Sequence, residues 1–283
     1  GALIVHSGGA DIGTGLDLVV GKIVAETLKM PLEEVTVISG DTDHCPFDKG
    51  AYASSGTCFS GNAAMKAAEA MRERILICGA EMLEVEVSDI QLVFPATVQA
   101  KNGKSVTFGE IAHQAEGGKG WGQLLTSGSF ITSDFAFPYG ANFAEVAVNT
   151  RTGEIKLNKF HALLDCGTPI NPDLALGQIY GASMRAIGHS MCEEIIYDEN
   201  GVPINTDLKS YGAPKIGDIP TDFRASLVPS YDPVGPFGAK SISEIGVNGA
   251  SPAIATAIHD ACGVWIREWN FTPEKILRGM NKL

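Results

Sequence analysis

The sequence predicts an α+β fold built from two-layer sheet-and-helix modules. Short runs of β-branched residues alternate with longer stretches that carry apolar residues at helical spacing. Hydrophobic residues make up 45% of the chain and charged residues 19%, which leaves enough apolar surface for a buried core. A length of 283 residues accommodates one large domain or two ordinary ones.

Residues 2–7 and 33–38 read as short buried strands. Between them Leu16, Val19, Val20, Ile23, Thr27 and Leu28 share one helical face, which ends near Pro31. A second helix is expected from about Asn62 to Leu83, with Ala64, Ala67, Met71, Ile75, Cys78 and Met82 as its inner stripe. The irregular stretch 41–61 before it is long for a compact domain, and such loops are usually functional. Glu116-Gly-Gly-Lys-Gly-Trp-Gly122 is the best boundary and sets the expected modules at 1–118 and 119–283.

In the second module Phe143–Val148 alternates, Asn149-Thr-Arg-Thr-Gly153 supplies a turn, and Ile155–Leu163 returns, which predicts a hairpin. A helix is expected from about Pro172 to Met191, then a second hairpin turning at Glu199-Asn-Gly201. The stretch 205–234, rich in Pro, Asp and Ser, reads as extended surface. Helices near Ser251–Cys262 and Thr272–Met280 close the chain, each with Pro expected at its first position.

Composition excludes several classes of function. A formal net charge of −12 argues against a nucleic-acid or anionic-membrane partner, so any bound anion must be held by local geometry. The six cysteines show no C-x-x-C spacing, which points to reduced, cytoplasmic thiols rather than a zinc ribbon or an iron–sulfur cluster. The histidines scatter without metal-ligand spacing, and Cys45 and Cys58 read as small packing residues. There is no secretory signal and no apolar run of about 18 residues. The chain opens in mid-strand without Met, which suggests a split subunit or a piece of a longer protein.

Three glycine-rich loops lead into helices: Gly8-Gly-Ala-Asp-Ile-Gly-Thr-Gly15, Gly50-Ala-Tyr-Ala-Ser-Ser-Gly-Thr-Cys-Phe-Ser-Gly61, and Asp165-Cys-Gly-Thr-Pro-Ile-Asn-Pro172. Each offers unobstructed N–H groups at the positive end of a helix dipole, and each could equally be a tight turn with a capped helix. None carries the Walker lysine or the Rossmann G-x-G-x-x-G spacing. In Gly235-Pro-Phe-Gly-Ala-Lys-Ser-Ile-Ser-Glu-Ile-Gly246, Glu244 is expected to be poorly solvated and unpaired with Lys240, which would make it a stronger base.

These segments, in this order and over essentially the whole chain, resemble the molybdenum hydroxylases, the xanthine dehydrogenase and aldehyde oxidase family. The likeness is to the C-terminal half of the molybdopterin-binding subunit. Ala10–Gly15 is similar to a family loop that usually carries Gly-Gln-Gly, with Thr14 here in place of Gln. Asp41-Thr-Asp43, Gly50–Thr57 and Gly61-Asn-Ala resemble its pterin-contacting loop; Asp165–Gly167, Asn171-Pro172 and Gly177-Gln178 resemble the next block, and Gly235–Glu244 the last.

The resemblance implies a fold of the xanthine dehydrogenase molybdopterin-binding type and a molybdenum–molybdopterin cofactor, the metal held by the pterin dithiolene alone. Glu244 matches the family's catalytic base. Gly13, Thr14, Gly15, Ala53, Ser54, Ser55, Gly56, Thr57, Gln178, Lys240 and Ser241 fall in the implied cofactor-binding set. The implied reaction is hydroxylation of an electron-poor carbon of an N-heterocycle, purine or nicotinate in type, with oxygen from water. An aldehyde oxidoreductase, a hydroxybenzoyl-CoA reductase-like enzyme and a non-catalytic cofactor-binding or maturation subunit are the alternatives. The resemblance leaves open whether the pterin is a dinucleotide such as the cytosine form. It places iron–sulfur clusters and FAD on partner subunits or domains, and part of the pocket on the N-terminal half of the molybdenum subunit.

Overall fold

The computed structural model describes residues 1–118 and 120–282; Lys119, inside the glycine-rich stretch expected as a boundary, lies outside them. The residues group into two compact units that interleave along the chain. One comprises Gly1–Ala136, Thr168–Asn171 and Tyr231–Ser241, the other Phe137–Gly167, Pro172–Ser230 and Ile242–Leu283.

In the first unit β1 (Leu3–Ser7) and β2 (Val35–Ser39) pair in parallel, with Leu3 opposite Val35. Parallel neighbours need a crossover, and helix α1 (Leu16–Leu28) provides it, burying Leu16, Val20, Ile23, Val24 and Leu28. It stops at Lys29, whose left-handed backbone turns its N–H onto the Ala25 and Glu26 carbonyls. The long helix α2 (Gly56–Leu83) packs beside it and buries Ala64, Ala68, Met71, Ile75 and Cys78; the expected Ala67 and Met82 are half-buried. Its start is six residues earlier than Asn62, because the Gly56-Thr-Cys-Phe-Ser turn hides a helix in residues of weak propensity. The irregular insert is shortened accordingly.

The sequence reading assigned nothing between Leu83 and Glu116. There the structure places a meander of β3 (Ile90–Val93), β4 (Thr97–Ala100) and β5 (Ser105–Thr107), followed by α3 (Phe108–Gly117). Strands of three or four residues are too short to show a period. The signal that was present is Asn102-Gly103 between β4 and β5, a turn pair whose Gly has φ +87°. Thr107 and Glu110 form a reciprocal capping box at the start of α3.

After α3 the segment 121–136 has no regular structure, yet it is anchored along α2 side chain by side chain. Trp121 Nε1 donates to Glu81 at 2.8 Å, Arg74 Nη1 to the Leu125 carbonyl at 2.8 Å, and Thr126 Oγ1 to the Ala67 carbonyl at 2.9 Å. Phe130 then meets Phe59 edge to face at 5.9 Å. The strap therefore runs back along α2 toward its N-terminus.

The second unit is a mixed sheet covered by helices. β6 (Tyr139–Val148) and β7 (Ile155–Asp165) form the expected hairpin around Asn149–Gly153. Strand β8 (Asp222–Leu227) joins β7 in parallel, which corrects the reading of 205–234 as extended surface throughout. Its Phe223, Ala225 and Leu227 alternate toward the core, a period of two that the surrounding Pro and Asp obscured. Helix α4 (Pro172–Met191) falls where expected, and a bridge between Tyr197 and Pro203 marks the second hairpin. A one-turn helix α5 (Leu208–Tyr211), a second short helix α6 (Ile245–Asn248), then α7 (Ala250–Cys262) and α8 (Pro273–Gly279) complete the unit. Pro273 is the first residue of α8 as expected, whereas Pro252 is the third of α7; both lie in the first turn, where no N–H is needed. Phe160, Leu164, Ile179, Ile254 and Ile258 are the fully buried centre. No helix of the described residues is long and apolar enough to cross a membrane.

Gly128 shows how closely the strap lies on α2: a Cβ there would stand 2.4 Å from the Ala63 carbonyl oxygen and 2.6 Å from the Ala67 nitrogen. Neither backbone atom can yield, so Gly128→Ala should lift the strap at a cost of about 1–3 kcal/mol, or several degrees of Tm. Limited proteolysis within 121–136 should accelerate in the same variant. A wild-type cleavage rate and Tm would refute the packing described.

Candidate cofactor-binding site

Four separated segments meet around the N-terminal turns of α2. The first is the Gly8–Gly15 loop: a Cβ on Gly9 would touch Ser60 Oγ at 2.6 Å and Leu16 at 2.9 Å. The second is 50–57, which leads directly into the helix. Ala53 and Ser54 have φ of 55° and 50°, a conformation that disfavours L-residues by roughly 1–2 kcal/mol each. Right-handed Ser55 follows them. Such a change of hand turns successive N–H groups into a concave, anion-binding surface, and strain of this kind collects at functional sites.

The third segment is 234–241. Ser241 Oγ accepts the Cys58 N–H at 2.9 Å, so a residue 183 positions away caps the first turn of α2. Asn62 Nδ2 donates to the Cys58 and Val234 carbonyls, both at 2.8 Å. The Pro236 ring fits against Gly61, where a Cβ would come within 2.9 Å of it. The fourth segment is 168–171, whose Thr168 N–H donates to the Gly238 carbonyl at 3.0 Å. Ser241 and Lys240 are 6% and 8% exposed, so a cation and a hydroxyl are buried in this unit. Lys240 makes an interaction of its own, as a buried ammonium must.

The loops that carry the expected residues of this unit thus converge on α2: that of Gly13, Thr14 and Gly15 through Gly9 and Leu16, that of Ala53 to Thr57 by leading into the helix, and that of Lys240 and Ser241 through Cys58. Their N–H groups do not all remain available. The Asp11 carboxylate accepts from Gly13, Thr14 and Gly15 at 2.9, 3.0 and 3.1 Å, and from Asp17 at 3.4 Å. The first loop is therefore closed on its own aspartate, which corrects the expectation of an open amide cradle there. Partial burial pushes the Asp11 carboxyl up, but its four N–H partners outweigh that and hold it below the ordinary carboxylate value.

In the second loop the Gly50 N–H goes to the Asp48 carboxylate at 2.7 Å, and the donors that matter lie where the loop enters α2. In a helix the first N–H groups have no intrahelical acceptor, and of Gly56, Thr57 and Cys58 it is the Cys58 N–H that Ser241 takes. Ser55 directs its hydroxyl to the Tyr52 carbonyl at 2.7 Å rather than to the helix. Cys58 is a packing residue, its thiol pushed up by burial and by Asp232. Asp41 is held low by His44, whose Nδ1 lies 2.8 Å from it, so this pair belongs to the loop's own structure. Asp165 likewise fixes its own turn, accepting from the Gly167 N–H at 2.8 Å and from the Ser230 hydroxyl.

Gln178 and Glu244 belong to the second unit. Gln178 is half-buried on α4, one turn before Ala182, against which Gly246 of α6 packs. Glu244 stands at the residue before α6 without capping it, is exposed, and has an interaction partner. Its exposure corrects the expectation of a poorly solvated carboxylate. The one-turn helix that follows it turns its side chain away from the core, which the apolar neighbours Ile242 and Ile245 did not reveal. Sequence reasoning also missed Asp11 and Asn62. The Asp-x-Gly spacing of the first is a turn signal, whereas the second stood in the Gly61-Asn-Ala resemblance without any sign of its bond to Val234.

The chain matches the molybdopterin cofactor-binding domain family over residues 1–220 and belongs to it. It is 72% identical, over its whole length, to a probable hypoxanthine oxidase, XdhD, of Escherichia coli (strain K12), covering 30% of that protein. Over its whole length it is also 32% identical to the gamma subunit of the 6-hydroxypseudooxynicotine dehydrogenase complex of Paenarthrobacter nicotinovorans, covering 37% of it. Quinoline 2-oxidoreductase from Pseudomonas putida 86 superposes with a TM-score of 0.88 at 30% identity, over 96% of this chain and 36% of that one. The chain thus spans about a third of the length of these relatives.

Replacing Asp11 by Asn should destabilise the chain at neutral pH by about 1 kcal/mol, because the charge that strengthens its N–H bonds is lost. Because the folded carboxyl lies low, its stabilisation is complete above the unfolded value near 3.9 and is lost as pH falls through the folded one. The difference in unfolding free energy between wild type and Asp11→Asn should therefore be flat from pH 5 to 8 and shrink below about pH 4. Denaturant titrations showing no pH dependence below 4 would rule this out.

Proposed function

We propose that the chain is the cofactor-binding part of a molybdenum hydroxylase that oxidises an electron-poor carbon of a nitrogen heterocycle, most closely a purine. One structural observation carries the proposal: the N-terminal turn of α2, with the strained Ala53-Ser54 loop before it, keeps anion-binding N–H groups where buried Lys240 and Ser241 arrive. Such a helix end binds phosphate and other anions, which fits the anionic pterin of the family. Two of the relatives are named for hypoxanthine and quinoline, both ring systems with aromatic nitrogen.

Molybdopterin, when bound, would supply the redox-active molybdenum. Gly56 and Thr57 would hold its anionic groups by N–H donors and Thr57 also by its hydroxyl, with Ala53, Ser54 and Ser55 shaping the turn. Lys240 would contribute charge and Ser241 a hydroxyl proton, since its oxygen already accepts from Cys58. Gly13, Thr14 and Gly15 border the site rather than bind through N–H groups that Asp11 holds. Gln178 is assigned a further cofactor contact.

Glu244 is assigned the role of base, taking a proton on a carboxylate oxygen as water-derived oxygen is transferred to carbon. A carboxylate gains basicity when water is removed from it; as Glu244 is exposed here, the reading assigns that covering to the rest of the molybdenum subunit or to the cofactor and substrate. Iron–sulfur and flavin partners, a dinucleotide form of the pterin and a cytoplasmic location complete the proposal; six free cysteines fit a reducing compartment.

The test is Glu244→Gln in the full-length molybdenum subunit assembled with its partners. Purine hydroxylation should fall by about 10²–10⁴ while molybdenum content stays at the wild-type level. Undiminished turnover would favour a cofactor-binding subunit without catalysis, and preference for aldehydes over purines would move the substrate class. The isolated 283-residue chain should show no hydroxylation at all.

A further inference from the structure

Asn62 takes no part in the chemistry just proposed, yet it is 4% exposed and both protons of its side-chain amide are engaged. One bond goes to Cys58, one turn back on its own helix. The other goes to Val234, at the start of the loop that ends in Lys240 and Ser241. That loop is fixed at its far end by Ser241 on the Cys58 N–H, and in its middle by Pro236 against Gly61. The Cys58 peptide is thus held on both sides, its N–H by one end of the loop and its carbonyl by the residue that grips the other end.

Because Val234 and Ser241 both register against a single turn of α2, the loop cannot slide along the helix without breaking one buried and one half-buried hydrogen bond. We propose that Asn62 is a positioning residue that sets Lys240 and Ser241 against the α2 N-terminus, and thereby governs cofactor retention; this rests on the cofactor reading above. An apolar residue at 62 would take the side-chain donor away from the half-buried Val234 carbonyl, whereas the Cys58 carbonyl keeps its helical partner, so the loop is released rather than the helix.

The experiment compares wild type, Asn62→Ala and Val98→Ala in the full-length protein. Val98, fully buried on β4, is a core truncation well along α2 from the clamp and matches the loss of stability. In the cofactor-free form, hydrogen exchange in 56–60 and 234–241 should rise by about tenfold in Asn62→Ala only. In the loaded form, molybdenum and pterin retained after gel filtration should fall at least severalfold in Asn62→Ala and remain near wild type in Val98→Ala. Unchanged exchange in those two segments would overturn the clamp. Faster exchange with wild-type retention would overturn its role in holding the cofactor. Equal cofactor loss in both variants would reduce Asn62 to general stability. A wild-type protein carrying no molybdopterin would instead overturn the underlying functional reading, whatever the exchange data show.

Discussion

The first turn of α2 is the constraint from which the arrangement of the first unit follows. A helix end has donors that the helix itself cannot satisfy, and here one of them is satisfied from 183 residues away by Ser241. Burial makes that bond consequential, because a buried donor left alone costs about 1–3 kcal/mol. Once Ser241 is fixed there, the chain must leave the second unit, cross α2 at Gly61 and return. Asn62 and Pro236 hold the crossing, and the segment 231–241 is drawn into a unit whose other members lie mostly before residue 137. The interleaving of the two units is the topological cost of completing one helix end with a distant loop.

The same constraint reconciles a chain of net charge −12 with an anionic ligand. Long-range attraction is excluded, since exposed charges are screened beyond about 8–10 Å at ordinary ionic strength. What remains is a short-range field made from peptide dipoles, with the buried Lys240 adjacent in sequence to Ser241. The two glycine-rich loops of the first unit divide this task unequally. Asp11 supplies the anion for the first from within the chain, so its amides serve to fix the start of α1. The second has no such internal carboxylate on Gly56 and Thr57, and it alone bears two consecutive non-glycine residues at positive φ. Strain and open donors coincide at one loop, and a self-capped turn occupies the other.

Legibility in the sequence followed the range of the interactions. Helices α1 and α4 and the β6–β7 hairpin were readable because their apolar periods and turn residues are local. The β3–β5 meander and β8 were not, since strands of three to six residues carry too little pattern to compete with nearby Pro, Asp and Gly. Of the site, the loops themselves were visible as glycine-rich punctuation, but their state was not: Asp11 differs from any loop aspartate only by where its oxygens end up. Asn62 reads as one more polar residue in a helix until Val234 is brought beside it. The misreading of Glu244 has the same origin. Apolar neighbours in sequence suggested a dry environment, whereas a one-turn helix exposes one side and buries the other, so Gly246 faces Ala182 while Glu244 faces out.

That outward orientation bears on where catalytic control resides. A base carried on a rigid, dry scaffold would be set by this chain alone. A base at the exposed start of a short helix keeps its hydration until something covers it, and desolvation is the largest lever on carboxylate basicity. On the proposed function, retention of the cofactor would fall instead to the α2 end, where Lys240, Ser241 and Asn62 are already buried. The two functions therefore place different demands on the fold. Holding the cofactor calls for a site assembled before binding, so that no ordering remains to be done on association. Activating the base calls for a carboxylate whose environment changes only when substrate and the covering polypeptide are in place, so that proton transfer is confined to the assembled enzyme. Only Ile242 and Ser243 lie between Ser241 and Glu244, so on the proposed function a buried holding residue and an exposed base would be near neighbours in sequence under opposite demands.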